Sequence, residues 1–545
     1  MSEAVQSTVG SWLNQIAQQF PENEALVHVQ RQVRYTYRSF LDEVERLARG
    51  LMALGIKKED PVALWGPNCP EWLISQFALA KIGATLVALD PGYGLQDLEY
   101  ALSFARVKTV LTAGGPDGSY LEMLHSLTPE LWEAGSKKNR KLPELSSIIT
   151  LFSPAPPSLL SLEDVKARGE AVSAGELRNR EKSLHPGETL MLLYTSGTTG
   201  RPKGVMLDHL GALNKSLAST ERLGITSRDR LCLFFPLFHM FGNTCIALSG
   251  LIRGATLVIP SDQFSPPEIL SALVRERCTA VYGSPSMMVA LLEAPAFKEA
   301  KIETLRTGII GGAPCPLEVM NRVVQEMGVK EIAIAYGITE ASSWLTQTLP
   351  DDPLELRVST IGTALPNCEV KVIDPLSGEE APDGRSGELC TRGFLMKGYF
   401  QNPEATARAV DREGWFHTGD LGVRDSLGYF RITGRLKEVM VKEGQEILPT
   451  EIEEVLYRVP GAAMVSAFGV PDAAKGEVIA VWITLKEGAA LSEEQVAAFC
   501  REHLPEDHWP DYIRFVEAFP MTRSGKIQKF KMREMMIEKL KENSG

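Results

Sequence analysis

The pattern of apolar residues predicts alternating helices and strands in the N-terminal part of the chain. Thr36 can cap a helix that Gly55 ends, because a threonine hydroxyl accepts a backbone N–H at a helix start and glycine readily adopts the left-handed conformation after its end. Apolar residues at helical spacing give this helix one buried face. That face consists of Phe40, Val44, Leu47, Leu51 and Leu54. The apolar run over residues 61–65 then predicts a buried strand.

The same pattern is repeated further along the chain, with a predicted helix over residues 71–81, Gly83, and a strand over residues 85–89. This alternation indicates an α/β fold with layers around a largely parallel sheet. The pattern degrades over residues 114–147, which are predicted to be a surface excursion. Near Gly434, glycine-rich turns give way to short strands and helices, so a domain boundary is predicted at residues 434–437.

Length and charge narrow the possibilities. A chain of 545 residues exceeds the size at which one hydrophobic core stops growing, so more than one domain is expected. The net charge of -12 repels polyanions, which argues against nucleic acid as a partner. The apolar region at residues 74–89 is short and broken by Lys81, so no transmembrane segment is predicted.

Targeting signals and cysteine usage favour a cytoplasmic protein. Glu3 and the mixed polar and apolar residues that follow it do not resemble the basic start and apolar run of a secretory signal. The eight cysteines are scattered and form no C-x-x-C pair. We therefore expect them to be buried, reduced thiols in the cytosol.

The candidate chemistry begins with a loop that follows an apolar strand at residues 189–194. The loop reads Thr195, Ser196, Gly197, Thr198, Thr199, Gly200, Arg201, Pro202, Lys203, Gly204. Small residues let backbone N–H groups approach an anion, hydroxyls add donors and Lys203 adds charge, which suits a polyphosphate. It is not a Walker A loop, since Lys203 is preceded by Pro202 and followed by Gly204. The alternative is a polar linker that happens to be rich in glycine and threonine.

The segment YTSGTTGRPKG resembles the phosphate-loop signature of the adenylate-forming superfamily. That superfamily holds acyl- and aryl-CoA synthetases, the adenylation domains of nonribosomal peptide synthetases, and beetle luciferases. The similarity extends over nearly the whole chain. It implies an N-terminal domain of layered α/β subdomains at residues 1–434, a hinge at 435–437, and a small mobile α+β C-terminal lid domain at 438–545.

Further motifs follow in the order of the superfamily, and the resemblance implies a role for each. His239, in PLFH, would lie between the acyl pocket and the phosphate site. Thr339 would contact the α-phosphate and Glu340 would bind Mg²⁺. Asp420 would accept the ribose hydroxyls with help from Arg435. The implied ATP-binding residues are Thr195, Ser196, Gly197, Thr198, Thr199, Gly200, Lys203, Gly312, Ala313, Pro314, Tyr336, Gly337, Asp420 and Arg435.

Each of these residues also has a simpler interpretation when taken alone. A single His239 would be a core histidine, Glu340 a carboxylate near a helix start, and Asp420 a turn aspartate. Met206, Leu207 and Tyr399 are interpreted as packing residues.

The C-terminal motifs imply a hinge, a thiol loop and a catalytic lysine. Lys437 matches the hinge of the superfamily, and Glu438 replaces the commoner aspartate after it. The loop that closes over the CoA thiol would contain Lys442, Gly444 and Gln445; without the resemblance it is a charged hairpin turn. Lys526 matches the catalytic lysine. The implied catalytic residues are Lys526, His239, Thr339 and Glu340.

The implied acyl pocket is mostly apolar, which suggests an unsubstituted fatty or aromatic acid. Its residues are His239, Phe241, Tyr282, Gly311, Ile338 and Trp344. The segment FVEAFPMTRSGKIQKFKMRE is most similar to medium-chain acyl-CoA synthetases.

The resemblance thus implies an enzyme that uses ATP, Mg²⁺ and coenzyme A to convert a carboxylic acid into an acyl-adenylate and then a thioester. The protein would be a monomer or a homodimer. Three alternatives stay open: transfer to a carrier-protein thiol, although no carrier domain follows; a luciferase-type oxygenase; and a catalytically silent nucleotide-binding regulator.

Overall fold

The computed structural model describes residues 3–133, 139–195, 202–486, 488–521 and 527–544. Contacts divide the chain into a larger unit, Met1–Glu369 and Arg392–Phe416, and a smaller unit, Val370–Thr391 and His417–Gly545. The boundary expected at residues 434–437 lies inside the smaller unit, and the division at this boundary stays a prediction.

Helices and strands alternate along the larger unit. Its helices are α1 (Val9–Gln19), α2 (Tyr37–Ala53), α3 (Pro70–Ile82), α4 (Leu95–Phe104), α5 (Ser119–Leu127), α6 (Leu162–Arg168), α7 (Ala174–Lys182), α8 (His209–Arg222), α9 (Ser249–Leu251), α10 (Pro266–Arg275), α11 (Pro285–Glu293), α12 (Leu317–Gln325), α13 (Leu354–Ser359) and α14 (Pro403–Ala409). A π-helix, Phe241–Leu248, runs directly into α9.

The strands of the larger unit form two sheets. The strands are β1 (Glu24–His28), β2 (Val33–Thr36), β3 (Pro61–Trp65), β4 (Thr85–Leu89), β5 (Thr109–Thr112), β6 (Ser147–Thr150), β7 (Leu160–Ser161), β8 (Thr189–Thr195), β9 (Lys203–Asp208), β10 (Arg230–Cys232), β11 (Thr256–Ile259), β12 (Ala280–Gly283), β13 (Thr307–Gly311), β14 (Glu331–Ile338), β15 (Ser343–Gln347), β16 (Thr363–Ala364) and, after two strands of the smaller unit, β19 (Gly398–Tyr399). The orders are β16-β15-β14-β13-β12-β10-β11-β1-β2 and β19-β9-β8-β4-β3-β5-β6-β7.

Both sheets have parallel central strands and antiparallel strands at an edge. The pairs β12/β13 and β13/β14 are parallel in the first sheet, as are β3/β4 and β4/β8 in the second. The pairs β14/β15 and β8/β9 are antiparallel. The predicted α/β class is confirmed, with two sheets where the sequence indicated one.

The local predictions for the N-terminal segment are confirmed. The Thr36 side chain accepts a hydrogen bond from the Ser39 backbone N–H at the start of α2, and Gly55 has a φ of +86° after its end. The expected strands coincide with β3 and β4. Local capping and spacing signals therefore suffice for these elements.

The prediction that residues 114–147 are a surface excursion is wrong for the described part of this segment. Helix α5 forms within it, and Leu124 and Leu127 are completely buried. The Tyr120 ring stacks on Trp65 of β3 at a centroid distance of 4.0 Å. These contacts are made with residues distant in sequence, which is why the degraded local pattern did not reveal them.

The smaller unit contains two sheets. Its strands are β17 (Glu369–Ile373), β18 (Gly387–Arg392), β20 (Phe416–Arg424), β21 (Phe430–Arg435), β22 (Met440–Lys442), β23 (Gln445–Ile447), β24 (Ala462–Asp472), β25 (Gly476–Leu485) and β26 (Tyr512–Phe515), and its helices are α15 (Pro449–Leu456), α16 (Glu493–His503) and α17 (Lys529–Ser544). The sheet orders are β17-β18-β20-β21 and β23-β22-β25-β24, with β26 parallel to β25.

The eight cysteines are all buried thiols that form no disulfide, as the sequence predicted. Within the part of the chain that the structure describes, every helix is too short or too polar to cross a lipid bilayer.

His209, the first residue of α8, is expected to make the protein sensitive to acid. Burial lowers the pKa of this imidazole to about 3, and its Nδ1 accepts a hydrogen bond from the Val9 backbone N–H at 3.2 Å. The unfolded chain takes up a proton below the ordinary histidine pKa of about 6.5, and the folded chain does not, so stability falls as the pH falls. At pH 5.5 the loss is about 1.4 kcal/mol.

The measurement is the free energy of unfolding by denaturant at pH 7.5 and at pH 5.5. His209→Asn, whose side-chain oxygen can still accept from Val9, should lose about 1 kcal/mol less than wild type across this interval. His185→Asn, at an exposed position, should lose as much as wild type. Equal losses for wild type and His209→Asn would contradict the assignment.

Candidate active site

The candidate phosphate loop connects two neighbouring antiparallel strands. Thr195 ends β8 and pairs with Lys203, the first residue of β9. The predicted loop residues Ser196, Gly197, Thr198, Thr199 and Gly200 lie outside the described residues. The structure thus fixes both ends of the loop and places the Lys203 ammonium 4.5 Å from the centre of the Tyr399 ring.

Tyr399 connects Lys203 to the predicted metal ligand. Its hydroxyl donates a hydrogen bond of 2.9 Å to Glu340 Oε1. Strand β19 brings it there by pairing with β9, Tyr399 opposite Val205. Burial, together with the Glu340 carboxylate, raises the pKa of the Tyr399 phenol far above its ordinary value. The phenol therefore stays protonated and can only donate to Glu340.

The sequence suggested only a packing role for Tyr399. It did not predict the contact with Lys203 or the hydrogen bond to Glu340. Nothing in the local sequence signals them, because they depend on the register of a two-residue strand against β9. Tyr399 is thus a functional candidate that sequence analysis missed.

Glu340 occupies a short 3₁₀ turn, Thr339–Ala341, directly after β14. Its backbone carbonyl accepts from the Met396 N–H at 2.7 Å, which fixes the turn. Mg²⁺ prefers oxygen ligands and keeps several waters, using one or two carboxylates along with substrate phosphates. A half-buried carboxylate with Oε1 engaged by Tyr399 fits this requirement, and Oε2 would be the ligand.

Removing the Tyr399 hydroxyl is expected to weaken magnesium use without removing the ring beneath Lys203. Tyr399→Phe should raise the half-saturating Mg²⁺ concentration for acid-dependent pyrophosphate release about tenfold, because an oriented ligand loses its positioning donor. Tyr37→Phe, which removes another buried hydroxyl donating to the Ala255 carbonyl, is the matched control and should leave the titration unchanged. Identical titrations for wild type and Tyr399→Phe would show that this hydrogen bond is only structural.

The predicted adenine-binding residues lie at the ends of β13 and β14. Gly312, Ala313 and Pro314 are exposed after β13, and Gly312 has a φ of +85°, which favours glycine. A Cβ built on Gly312 would meet no atom within 4 Å, so the backbone here is open to a ligand. Tyr336 and Gly337 are half-buried near the end of the adjacent strand β14.

The predicted acyl pocket residues converge on Trp344 of β15. A Cβ on Gly311 would lie 2.9 Å from the indole of Trp344. A Cβ on Gly337 would lie 2.9 Å from the same indole and 2.4 Å from the Ser343 carbonyl oxygen, so glycine at both positions makes room for β15 and its tryptophan. Phe241 packs edge-on against Trp344 at 4.8 Å. Tyr282 belongs to the same buried cluster, and Ile338 packs against it.

His239 is joined to this group through Phe235, a residue that sequence analysis did not select. The Phe235 ring lies 5.4 Å from His239 and 4.3 Å from Phe241. His239 Nδ1 accepts from the Phe241 backbone N–H at 3.1 Å. The neutral ring therefore carries its proton on Nε2.

Asp420 and Arg435 form an ion pair in the smaller unit. They face each other across β20 and β21, and Arg435 Nε lies 2.9 Å from Asp420 Oδ1. Gly419, with a φ of +72°, donates its N–H to Glu388 Oε1 at 3.0 Å and so shapes the turn before Asp420. The paired guanidinium keeps this carboxylate oriented as an acceptor.

The predicted CoA loop is a tight hairpin between β22 and β23. Lys442 pairs with Gln445, and Glu443 and Gly444 between them have φ values of 53° and 83°. Two left-handed residues make the turn typical of a two-residue hairpin.

Lys442 itself is buried and paired within the smaller unit. Its Nζ lies 2.8 Å from Asp511 Oδ2 and 3.0 Å from the Trp509 carbonyl oxygen. Gly444 and Gln445 are exposed. A groove of about 620 Å³ beside the hairpin is lined by Lys442, Lys475 and Trp509, among others.

The catalytic lysine proposed from the resemblance, Lys526, lies outside the described residues. Lys437 lies in a short 3₁₀ turn, Leu436–Glu438, between β21 and β22. Its neighbour Glu438 accepts from Lys529, at the start of α17, with Nζ to Oε2 at 3.2 Å.

Comparison with known proteins gives matches over almost the full chain. The model of the AMP-binding enzyme family matches residues 13–400, and that of the AMP-binding enzyme C-terminal domain matches residues 451–526. YngI of Bacillus subtilis (strain 168) is 42% identical over 542 residues, covering 99% of this chain and 98% of YngI. The mitochondrial medium-chain acyl-CoA ligase ACSF2 of Danio rerio is 37% identical over 540 residues, 98% of this chain and 89% of the relative.

Solved structures are similar in fold. The ATP-bound structure of MatB from Rhodopseudomonas palustris has a TM-score of 0.81 and 26% identity, and the match covers 96% of this chain and 98% of MatB.

Proposed function

This chain belongs to the AMP-binding enzyme family of adenylate-forming proteins, and on that premise we propose that it is an ATP-dependent acyl-CoA synthetase for medium-chain carboxylic acids. The observation that carries the proposal is the chain continuity between the aromatic group around Trp344 and the candidate metal ligand. Gly337, which packs against Trp344, is followed within the same segment by Thr339 and Glu340. An apolar acyl group could therefore lie in the aromatic pocket while its carboxylate reaches the phosphate site.

The substrate class follows from the chemistry of the pocket. Phe241 and Trp344 supply aromatic surface, and the predicted set contains no lysine or arginine that could pair with a second acid group. Burial of methylene groups against such surface is favourable by about 0.8 kcal/mol each. The preference for medium chains rests on the similarity to the mitochondrial medium-chain acyl-CoA ligase ACSF2.

In the first half-reaction, an oxygen of the substrate carboxylate bonds to the α-phosphorus of ATP and pyrophosphate leaves. Two anions meet, so the site must supply positive charge. We assign Lys526 to the carboxylate and phosphate oxygens, Lys203 and its loop to the departing pyrophosphate, and Thr339 to the α-phosphate. Glu340 would hold Mg²⁺, which neutralises phosphate charge when bound.

In the second half-reaction, the CoA sulfur bonds to the acyl carbonyl carbon and AMP leaves. The mixed anhydride is already activated, so this step requires orientation and exclusion of water. We assign Gly444 and Gln445 to the CoA side and Asp420 to the ribose hydroxyls. We assign Lys442 to the same loop, where its ion pair with Asp511 would hold the hairpin in place.

Lys437 is proposed as the hinge between the two half-reactions. Proline fixes φ near about −65°, so Lys437→Pro should slow one half-reaction at least tenfold and spare the other. Lys437→Ala removes the charge without restraining the backbone and is the control. Unchanged rates of both half-reactions in Lys437→Pro would argue against a hinge at this residue.

Two other functions use the same residues. A carrier-protein thiol could replace CoA, and a silent nucleotide-binding regulator would bind ATP without turnover. The presence of Glu340 and Lys526 favours catalysis over the regulator.

The deciding experiment measures pyrophosphate and AMP release with straight-chain acids from butanoate to palmitate, with and without CoA. We expect the highest kcat/KM near octanoate and faster AMP release when CoA is present. AMP formation that CoA does not accelerate would favour a carrier protein as acceptor. No pyrophosphate release with any acid would refute the synthetase assignment.

A further inference from the structure

We propose that Glu388, Cys390 and His417 form a zinc-binding site in the smaller unit. The three side chains come from neighbouring strands of the sheet β17-β18-β20-β21. Glu388 and Cys390 are two residues apart on β18, so they point to the same face, and His417 lies on β20. Their potential ligand atoms all lie within 4.8 Å of one another. None of the three residues is among those assigned to ATP, acid or CoA, and the proposed site does not depend on the proposed function.

The distances centre the group on His417 Nδ1. This nitrogen lies 2.9 Å from Glu388 Oε2 and 3.6 Å from Cys390 Sγ. The Glu388 carboxylate and the sulfur can both act as acceptors, but Nδ1 carries at most one proton. A carboxylate oxygen, an imidazole nitrogen and a thiolate sulfur are each ligands for a metal ion. Because the three atoms lie within 4.8 Å of one another, a single cation could contact all of them.

The donor set identifies the metal. Zn²⁺ binds thiolate sulfur, imidazole nitrogen and carboxylate oxygen in tetrahedral sites, with bond lengths of about 2.0–2.3 Å. Such bond lengths around one ion separate nitrogen from sulfur by about 3.5 Å. The distance between His417 Nδ1 and Cys390 Sγ is 3.6 Å. Magnesium and calcium prefer oxygen ligands and are disfavoured by the sulfur. With three protein ligands, a water would complete the coordination.

Burial and access are also suitable. Cys390 is fully buried and the Glu388 side chain is nearly so, while 31% of the His417 side chain is exposed. An ion can thus reach the site from the His417 side and then be shielded from water. Within the described parts of the chain, no other group of three or more His, Cys, Asp and Glu side chains lies close enough together to share an ion.

A metal here would hold the turn that precedes Asp420. Glu388 uses its other oxygen, Oε1, to accept from the Gly419 N–H at 3.0 Å. The Thr418 hydroxyl donates to the Leu389 carbonyl at 2.7 Å, between the two β18 ligands. The role expected of the ion is therefore structural, because it would restrain β18 and β20 where they meet.

The test uses the full-length chain, purified without a histidine tag and stripped of metal by a chelator. After incubation with Zn²⁺ and desalting, elemental analysis should find about one zinc per chain. Titration with Co²⁺ in the absence of nucleotide should produce a thiolate-to-cobalt charge-transfer band in the near ultraviolet. Cys390→Ala should abolish that band and reduce retained zinc at least tenfold.

Two variants separate a metal site from a folding defect. His417→Gln changes a half-exposed side chain and should also reduce retained zinc at least tenfold, with an unchanged circular dichroism spectrum. Cys500→Ala removes another buried thiol of the smaller unit and should retain zinc as wild type does. Wild type that keeps no zinc and gives no cobalt band would mean that the three residues form a hydrogen-bond network only, and the proposal would be overturned. Full zinc retention by Cys390→Ala would overturn it equally.

Discussion

Replacing Lys526 with alanine is expected to slow acyl-adenylate formation by about 10²–10³-fold, the cost of removing one well-placed donor from a charge-stabilising site. The substrate carboxylate and the α-phosphate are both negative, and the proposed role of this lysine is to neutralise them as they approach. The measurement is acid-dependent exchange of labelled pyrophosphate into ATP, which reports the first half-reaction without CoA.

The second half-reaction provides the internal control. Lys526→Ala, supplied with chemically made acyl-adenylate and CoA, should form the thioester at close to the wild-type rate, because the carbonyl is already activated. Lys531→Ala changes an exposed lysine nearby in α17 and should leave both half-reactions intact. Equal losses in both half-reactions of Lys526→Ala would contradict the proposed division of labour.

Elements with strong local signals were predictable from the sequence. Thr36 caps α2 and Gly55 follows its end because both signals act within a few residues. Strands β3 and β4 have the predicted limits since each is a short apolar run between polar or glycine residues. By contrast, the leucines at 124 and 127 gain their burial from the larger unit's second sheet, and no local spacing could show this.

The sequence predicted those residues of the candidate site that belong to contiguous motifs, and it did not predict the others. Trp344, Gly311 and Phe241 were selected through the resemblance, and the structure brings them into contact. Tyr399 was missed because its partners, Lys203 and Glu340, lie far away in the sequence. The grouping of Cys390 with His417 depends on strand pairing in the same way, so the spacing of the cysteines could not reveal it.

Replacing Glu340 with glutamine is expected to raise the Mg²⁺ concentration required for half-maximal adenylation about 100-fold, since a neutral amide is a far weaker ligand for a hard cation than a carboxylate. The substitution is selective, because the amide oxygen can still accept from the Tyr399 hydroxyl that now binds Glu340 Oε1. The measurement is the initial rate of pyrophosphate release as Mg²⁺ is titrated at fixed ATP and acid. Glu331→Gln, at the exposed start of β14, the strand that leads into the Glu340 turn, is the matched control and should titrate as wild type does.

The double variant shows how the phenol acts. If Tyr399 influences magnesium by orienting Glu340, then adding Tyr399→Phe to Glu340→Gln should cause little further change, so the two effects will be strongly non-additive. Additive effects would instead assign the Tyr399 hydroxyl a role that is independent of Glu340. An unaltered magnesium titration for Glu340→Gln alone would remove the metal assignment, and the contact between Tyr399 and Glu340 would then be a structural link between β19 and the turn after β14.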